Sequence, residues 1–484
     1  MGKVNPWTEQ AFKKAEQRRK QIKGIPAVVQ TAPGRTEEVA SELRRLGYPV
    51  QSVVSNFIFT DLPEPADFEK VARIRYVVNV TSQKVLFPMA FGIDEIFKRV
   101  AITTDPILSN LDIDDLNALG VKIKPTAEIP SPLQAIAMVA SEVVKFGFDP
   151  LGRIQDYIRG FPPVVARTDW KLVTDTREIM EAPLKDYDIH IPVGIIDTGV
   201  NPPPPFPPNL ACGMPFTDYE CISLTAEPPV DTMSHGSWVT SCAFGKPTVS
   251  RYGLFIPVSS AEWYIHMKVF TALGPCTTQQ IMMAMEEVAR RGARVVNMSL
   301  GGPLQGSVDD DPECVLAKQI YEQYGTNFIV AAGNDGEDWT INSPGASPYV
   351  LTVGAIDWKT LETSSYSSRG PQGVWYQENK SDFERDRSKY GENLLKPDVA
   401  GIGGDKESQI VAACTPWYDG LYDFLPDQFD MMIGTSMATP HVAGLVALAI
   451  DRGLINSIDD VKSKMAGTKD SEKGYGLLKW SILE

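Results

Sequence analysis

The chain has 484 residues and a formal net charge of −15, and its hydrophobic fraction of 43% is ordinary for a folded protein. Such a negative charge argues against nucleic acids and anionic membranes as partners. No apolar run approaches the roughly 20 residues that a membrane-spanning helix needs, and the N-terminus lacks the apolar segment of a signal peptide. The sequence therefore predicts about three folding units and a cytoplasmic location, with export by another route left open.

The first 88 residues predict a helix followed by a small α+β unit. Residues 1–24 are rich in lysine and arginine and predict a basic helix surrounded by solvent. Residues 25–88 alternate strand, helix, strand, strand, helix, strand, and the last strand is expected to run from Val77 to Leu86. This order is typical of the ferredoxin-like arrangement, which many unrelated proteins share.

The next segment, residues 89–165, predicts a helical insert. Helical periodicity recurs in three places and is interrupted by the proline-containing stretch 129–132. A structural spacer is one interpretation, and an activation linker, a partner-binding element or a lid is the other. Further along, the proline-rich stretch 201–209 and the charged stretch 372–394 predict exposed loops.

Four short segments of residues 166–484 carry the groups that acyl transfer needs. Asp197 ends an apolar strand, His235 opens a helix of small residues, Asn334 follows another strand, and Ser436 begins a small-residue helix. A hydroxyl can attack, an imidazole can take its proton, a carboxylate can orient the imidazole, and an amide can bind the oxyanion. Strand ends and helix starts are where an α/β sheet collects its active site, so we expect these groups to meet.

The chain order Asp197, His235, Ser436, with its flanking residues, resembles the subtilisin family of serine endopeptidases. The resemblance extends from about Thr174 to the C-terminus. It implies that Asp197 orients the imidazole, that His235 is the general base and acid, that Ser436 is the nucleophile and that Asn334 is the oxyanion donor. It also implies a three-layer α/β catalytic domain with a largely parallel sheet over residues 166–484.

The same resemblance implies the substrate-binding residues. Ser299, Leu300 and Gly301 match the strand that pairs with the main chain of a substrate. Ala332 and Gly333 match the facing wall of the pocket for the residue before the scissile bond. The expected partners are therefore protein or peptide substrates.

The position of residues 25–88 upstream of such a domain implies that they are the inhibitory propeptide of the family. Their last strand would then lead a tail into the active site. The chain's own propeptide is thus a second expected partner, and the protein would be made as a self-inhibited zymogen.

No cofactor is required for this chemistry. The calcium-binding loop common in the family is not recognisable between Cys242 and Trp263, so no metal ligand is assigned and structural calcium stays possible. All six cysteines lie after residue 211 without the spacing of a zinc site. We expect free thiols, with a bridge between Cys212 and Cys221 as the alternative.

Some of these motifs also allow other interpretations. One Asp-Thr-Gly also marks aspartic proteases, but that chemistry needs two aspartates, and the sequence has no second such motif. The remaining histidines, His190, His266 and His441, are expected to pack or cap. The large Trp238 is expected to fill space below the site, with the reshaping of a substrate subsite as the alternative. The rival function is a non-catalytic or permanently self-inhibited binding protein on the same scaffold. The presence of all four chemical groups favours the enzyme.

Overall fold

The computed structural model describes residues 2–17, 22–88, 169–200, 218–231, 233–250, 253–271, 276–413, 429–465 and 467–484. These residues form an N-terminal unit, residues 2–88, and a C-terminal unit, residues 169–484. The helical insert predicted at 89–165 and the loop predicted at 201–209 lie outside the described residues.

The N-terminal unit is built on a five-stranded sheet. Its strands are Lys3–Val4, Ile25–Thr31, Ser52–Val54, Phe57–Leu62 and Val77–Ser82, and its helices are Pro6–Gln17, Thr36–Arg45 and Pro65–Ala72. Counted from Ile25, the strands lie in the order fourth, first, third, second and pair antiparallel. This is the predicted ferredoxin-like arrangement. The short first strand, Lys3–Val4, adds to the edge parallel to Val77–Ser82.

The prediction that the N-terminal helix is surrounded by solvent was wrong. Trp7, Ala11 and Ala15 recur every four residues along the helix Pro6–Gln17 and are buried. They pack into the same apolar cluster as Phe68 of the third helix. This narrow apolar stripe was not recognised in the sequence, because alanine adds little to the difference in hydrophobicity between the two faces of a helix.

The last predicted strand, Val77 to Leu86, is in fact two strands. Val77–Ser82 stays in the N-terminal sheet, whereas Val85–Pro88 leaves it and lies between two short strands of the C-terminal unit. We call Val85–Pro88 the crossing strand. The break falls at Lys84, whose side chain is buried against carboxylates of the C-terminal unit.

The C-terminal unit is centred on a seven-stranded sheet in which every pair of neighbours is parallel. In spatial order its strands are Asp218–Ser223, Trp263–Lys268, Val193–Asp197, Val295–Met298, Asn327–Ala331, Leu351–Ile356 and Val399–Ile402. The other strands of this unit are Asp169–Leu172, Asp188–Ile189, Thr248–Ser250, Gly253–Phe255, Ser260–Ala261, Cys276–Thr277, Leu300–Gly301, Ser408–Ala413 and Phe429–Met432. The predicted α/β class with a largely parallel sheet is confirmed.

Helices cover both faces of this sheet and form the two outer layers of the three-layer unit. The helices are Val173–Ile179, His235–Phe244, Thr278–Arg290, Pro312–Tyr324, Val374–Glu378, Lys380–Tyr390, Thr435–Asp451, Ile458–Lys464 and Trp480–Leu483, with a 3₁₀ turn at Gly391–Leu394. Ile195 packs with His235–Phe244 and Thr435–Asp451, whereas its neighbour Ile196 packs with Thr278–Arg290 and Pro312–Tyr324. Both faces of the strand Val193–Asp197 are therefore buried, which explains its apolar run.

The charged stretch 372–394 is not the exposed loop that was predicted. It forms two helices and a 3₁₀ turn, and Trp375, Tyr376 and Phe383 are buried. The Tyr376 hydroxyl donates a hydrogen bond of 2.6 Å to a carboxylate oxygen of Asp386. Three aromatic residues among charged ones were enough to anchor the segment.

Four of the six cysteines lie among the described residues. Cys221, Cys242, Cys276 and Cys314 are free thiols, while the other two cysteines lie outside this part of the chain. Within it, no three His, Cys, Asp or Glu side chains are grouped so that they could hold a metal ion. No helix in these ranges is both long and apolar enough to cross a membrane.

Candidate active site

One edge of the parallel sheet collects the predicted site residues. Asp197 is the last residue of its strand, Ser299 follows the strand Val295–Met298, and Asn334 follows Asn327–Ala331. The helices that begin at His235 and at Thr435 start at the same edge. The carboxyl ends of parallel strands meet at one edge, so residues far apart in sequence become neighbours.

Asp197 and His235 form a buried pair. The Nδ1 atom of His235 lies 2.6 Å from Oδ1 of Asp197, and both side chains are fully buried. An ionised carboxylate only accepts, so Nδ1 carries the proton and Nε2 is left as the basic nitrogen. Nε2 of His235 has no hydrogen-bond partner among the described residues. The pair thus presents an oriented base with an unused lone pair.

Thr198 and Asp231 hold the loop of Asp197 against the helix of His235. The Thr198 hydroxyl donates to Oδ1 of Asp231 at 2.9 Å and accepts from the backbone N–H of Gly236 at 2.8 Å. Oδ2 of Asp231 accepts from the N–H of Ser237 at 2.7 Å. These bonds occupy free N–H groups in the first turn of the helix. Asp231 was not predicted from the sequence, although an aspartate four residues before a helix start was an available signal.

The approach of the two segments requires glycine at position 236. A Cβ atom there would lie 2.2 Å from the carbonyl oxygen of Gly199. Any side chain would therefore push the helix of His235 away from the loop of Asp197.

Ser436 is fully buried in the first turn of the helix Thr435–Asp451. Its hydroxyl donates to the carbonyl oxygen of Ser299 at 2.9 Å, and the Ser299 hydroxyl donates back to the carbonyl oxygen of Ser436 at 2.9 Å. No hydrogen bond joins Ser436 to His235 within the described residues, because Nε2 of His235 is unpartnered. Catalytic hydrogen bonds are often long without a substrate, so this geometry does not oppose the predicted pairing.

Asn334 has one end of its amide fixed and the other end available. Its Oδ1 accepts from the backbone N–H of Thr435 at 3.0 Å and from the Thr435 hydroxyl at 2.9 Å. These two donors identify the oxygen, so Nδ2 is the atom that is buried without a partner. An unused, preoriented N–H beside the start of the Ser436 helix is what an oxyanion donor requires.

The predicted substrate strand is already paired. Leu300 and Gly301 pair antiparallel with Pro88 and Phe87 of the crossing strand. On the opposite edge of the crossing strand, Cys276 pairs with Leu86. A segment of the N-terminal unit thus occupies the position in which a substrate main chain was expected.

Ala332 and Gly333 lie at the end of the neighbouring strand. The N–H of Ala332 donates to Val353 and its carbonyl oxygen accepts from Asn342. The N–H of Gly333 donates to the hydroxyl of Thr435 at 3.3 Å, next to Ser436. Their role as the wall of a substrate pocket stays a prediction.

Comparison with known proteins identifies the family. A model of the Subtilase family, peptidase S8, matches residues 189–476, more than half of the chain. The chain belongs to the subtilase family. Pyrolysin of Pyrococcus furiosus is 30% identical over 249 residues, which cover 45% of this subtilase and 17% of pyrolysin. The serine protease AprX of Bacillus subtilis is 29% identical over 305 residues, which cover 58% of this chain and 62% of AprX.

This subtilase spans less than two thirds of the length of these curated relatives. Among solved structures, the epidermin leader peptide processing serine protease of Staphylococcus aureus aligns over 95% of this chain and 97% of its own. The TM-score is 0.54 and the identity is 14%, so this likeness concerns the fold.

The other histidines of the subtilase have structural contacts. Burial lowers the pKa of His266 to about 3 and that of His441 to about 4, so both rings are neutral. Nε2 of His266 accepts from the N–H of Gly199 at 3.2 Å and supports the loop after Asp197. Nε2 of His441 lies 2.8 Å from the hydroxyl of Thr176. His190 is exposed and lies beside Asp451.

Trp238 fills space beneath the site. It is fully buried in the core, and its indole N–H donates to the backbone carbonyl oxygen of Asp430 at 3.1 Å. Its size is therefore accounted for by packing.

Proposed function

We propose that this subtilase is a serine endopeptidase that uses Asp197, His235 and Ser436 as its triad. The observation that carries the proposal is the bond of 2.6 Å between Asp197 and Nδ1 of His235, with Nε2 left free at the sheet edge where Ser436 lies. A binding protein would have no use for a buried, oriented base with an unused nitrogen.

The chemistry follows from these positions. His235 Nε2 takes the hydroxyl proton of Ser436 as the oxygen attacks the scissile carbonyl, and Asp197 stabilises the imidazolium. Asn334 Nδ2 and the backbone N–H of Ser436 stabilise the oxyanion. His235 then gives the proton to the leaving amine, and water hydrolyses the acyl-enzyme by the reverse sequence. Ser299, Leu300 and Gly301 hold the substrate main chain as an added strand.

The hypothesis that the protein is made as a self-inhibited zymogen rests on the groove between the strands Cys276–Thr277 and Leu300–Gly301. A substrate cannot pair with Leu300–Gly301 while the crossing strand is paired there. Since the crossing strand follows directly from the N-terminal unit, the affinity of that unit for the C-terminal unit controls access to Ser436. We therefore propose that residues 2–88 act as an intramolecular inhibitor.

A buried ionic contact anchors the N-terminal unit. The Nζ atom of Lys84 lies 2.6 Å from Oδ2 of Asp311 and 2.8 Å from Oε2 of Glu313, and all three side chains are buried. Burial alone would lower the pKa of Lys84, but the two carboxylates outweigh it and raise that pKa. We call Asp311 and Glu313 the acidic cradle.

Uncharged contacts add to this anchor. The amides of Asn5 and Asn79 donate to the backbone carbonyl oxygens of Gln305 and Asp310, at 2.9 and 3.1 Å. On the outer face of the N-terminal sheet, Phe57 and Phe59 pack in the apolar cluster of the helices Thr278–Arg290 and Pro312–Tyr324. Such a surface supports a stable complex between the two units.

The test is the intact mass of the purified protein after treatment with a fluorophosphonate. A single adduct on the wild type, absent from Ser436→Ala and kept by the exposed control Ser463→Ala, would support the assignment. An adduct that persists in Ser436→Ala would overturn it. A folded chain that lacks its N-terminal unit and takes no adduct would favour the binding protein, and an uncut chain that takes none would favour permanent self-inhibition.

A further inference from the structure

The acidic cradle lies at the upstream end of the groove that the crossing strand occupies. The crossing strand pairs with one strand of the C-terminal unit on each edge, and its residue Phe87 pairs with Gly301. Lys84 comes directly before the crossing strand, three residues before Phe87, and its ammonium group lies in the cradle. A substrate that follows the same path would place at the cradle the side chain three residues before its partner of Gly301.

The main chain of Lys84 makes contacts that any residue could make. Its backbone N–H donates to the Thr278 hydroxyl, and its carbonyl oxygen accepts the N–H of Thr278, both at 3.1 Å. Such main-chain bonds hold an added strand in place but do not choose its sequence. Selection at this position is left to the side chain, which meets Asp311 and Glu313.

Glu313 takes its counter-charge from outside its own unit. Its side chain is fully buried, and neither of its carboxylate oxygens accepts a hydrogen bond from the described part of the C-terminal unit. The Nζ atom of Lys84 lies against it at 2.8 Å. A carboxylate in such a site is costly without a counter-charge. Once the N-terminal unit is displaced, the cradle therefore favours a segment that brings a positive charge to the same point.

The cradle fits a compact cation. Oδ1 of Asp311 already accepts the Ser343 hydroxyl at 2.6 Å, and Oδ2 already accepts the backbone N–H of Gln305 at 3.2 Å. The ammonium group of Lys84 contacts Oδ2 of Asp311 and Oε2 of Glu313 from one point, at 2.6 and 2.8 Å. An ammonium is a compact charge, whereas the larger guanidinium directs its donors in a fixed fork. Lysine therefore suits this position, and an acidic side chain would be repelled.

We infer that the acidic cradle is a substrate subsite, and that it selects protein segments with a lysine three residues before the residue that pairs with Gly301. This inference rests on the proposed function, because a substrate reaches the cradle only after the crossing strand has left the groove. Lys84 occupies the subsite until then. The favoured substrates are protein segments in which a lysine is followed by an extended stretch that can pair in the groove.

The first test locates the bonds that the protein cuts in a mixture of denatured proteins of known sequence. It uses a preparation of the full-length protein on which casein digestion and fluorophosphonate labelling are measured in parallel. With the cut bonds aligned, mass spectrometry of the fragments should show lysine enriched at one fixed upstream position. Glu313→Gln should abolish this enrichment. Glu322→Gln, which lies exposed on the same helix, is the matched control and should keep it.

The second test needs no variant of the protein. A peptide of residues 78–88, VNVTSQKVLFP, is added as an inhibitor of casein digestion by the same preparation. Lys84→Met in the peptide removes the charge and keeps an aliphatic stem, so Ki should rise by about 10- to 100-fold. Val78→Ala in the peptide is the control, because the Val78 side chain is exposed in the whole chain. It should change Ki by less than about threefold.

The outcomes separate the two proposals. If the preparation digests casein and takes the label, but lysine is not enriched or both altered peptides inhibit like the original, the inference is wrong and the proposed function stands. If calcium ions raise the activity of the wild type but not of Glu313→Gln, and lysine is not enriched, the cradle is a metal site and the inference is wrong. If neither casein digestion nor labelling is seen, the proposed function itself fails, and the inference fails with it.

Discussion

Two buried carboxylates of the C-terminal unit each contact a basic side chain at the same distance, but the two pairs differ in where that side chain comes from. Asp197 holds His235 at 2.6 Å, and Asp311 holds Lys84 at 2.6 Å. His235 belongs to the same unit as its carboxylate and keeps one nitrogen free. Lys84 belongs to the N-terminal unit, and its ammonium group contacts both Asp311 and Glu313. The first pair lies within one unit, whereas the second joins the two units.

The largest effect should come from removing the charge of Asp197. Asp197→Asn leaves the shape of the site but no longer enforces the tautomer of His235, so we expect kcat to fall by about 10⁴-fold. Steady-state kinetics of casein hydrolysis measures this. Asp338→Asn, on an exposed turn, is the control. Activity within tenfold of wild type would contradict the role of Asp197.

Asn334→Ala should come next. Loss of the free Nδ2 donor removes an interaction made with the oxyanion, so kcat should fall by roughly 10²–10³ while KM changes little. The control is the exposed Asn456→Ala, measured with the same substrate. A rise in KM at unchanged kcat would instead place Asn334 in substrate binding.

Lys84→Met tests the contact between Lys84 and the acidic cradle. The variant leaves two buried carboxylates without their cation, which weakens the hold on the N-terminal unit. We expect fluorophosphonate labelling of the uncut chain to become roughly 10- to 100-fold faster, since each tenfold corresponds to about 1.4 kcal/mol. Lys70→Met, which removes an exposed lysine of the same unit, should leave the rate unchanged. An equal rate in both variants would mean that the acidic cradle does not govern opening.

The smallest effect should be a pH dependence of stability. Burial, together with the charge of Asp311, raises the pKa of Glu313 from 4.5 to about 7, although Lys84 acts in the opposite direction. Between pH 4.5 and 7 the folded chain then binds more protons at Glu313 than the unfolded chain does. The free energy of unfolding contributed by this group is therefore fully present below pH 4.5 and is lost as the pH rises through 7.

Urea unfolding in the Ser436→Ala background, at pH 5 and pH 7.5, measures this loss. Glu313→Gln should reduce the difference between the two midpoints, whereas Glu322→Gln, exposed on the same helix, should not. The pKa of Asp311 is lowered despite its burial, because Lys84 favours its charge, so its own contribution lies at lower pH. A pH dependence unaffected by Glu313→Gln would contradict the assignment.

The sequence predicted those features that local pattern controls. Asp197, His235, Asn334 and Ser436 each lie at a strand end or a helix start, and a parallel sheet brings such positions to one edge. Strand and helix order in residues 25–88 was likewise readable from periodicity.

Features that depend on distant partners were not predicted. Lys84 looked like a polar residue within a strand, because the carboxylates it contacts come 227 residues later and more. Trp7 and Ala11 looked solvated because the surface they cover is built by other elements. Asp231 acts through bonds to Thr198 and Ser237 that only the folded chain brings together.

The thiol of Cys276 can report whether the crossing strand is in place. It is fully buried, with the carbonyl oxygen of Leu86 as its acceptor, and burial raises its pKa well above the ordinary value. While the crossing strand stays in place, alkylating reagents meet a covered, protonated sulfur, which is inert. Once the strand withdraws, the same sulfur lines an open groove. The rate of alkylation at Cys276 therefore measures how fast the groove opens, whether or not a peptide bond is cut.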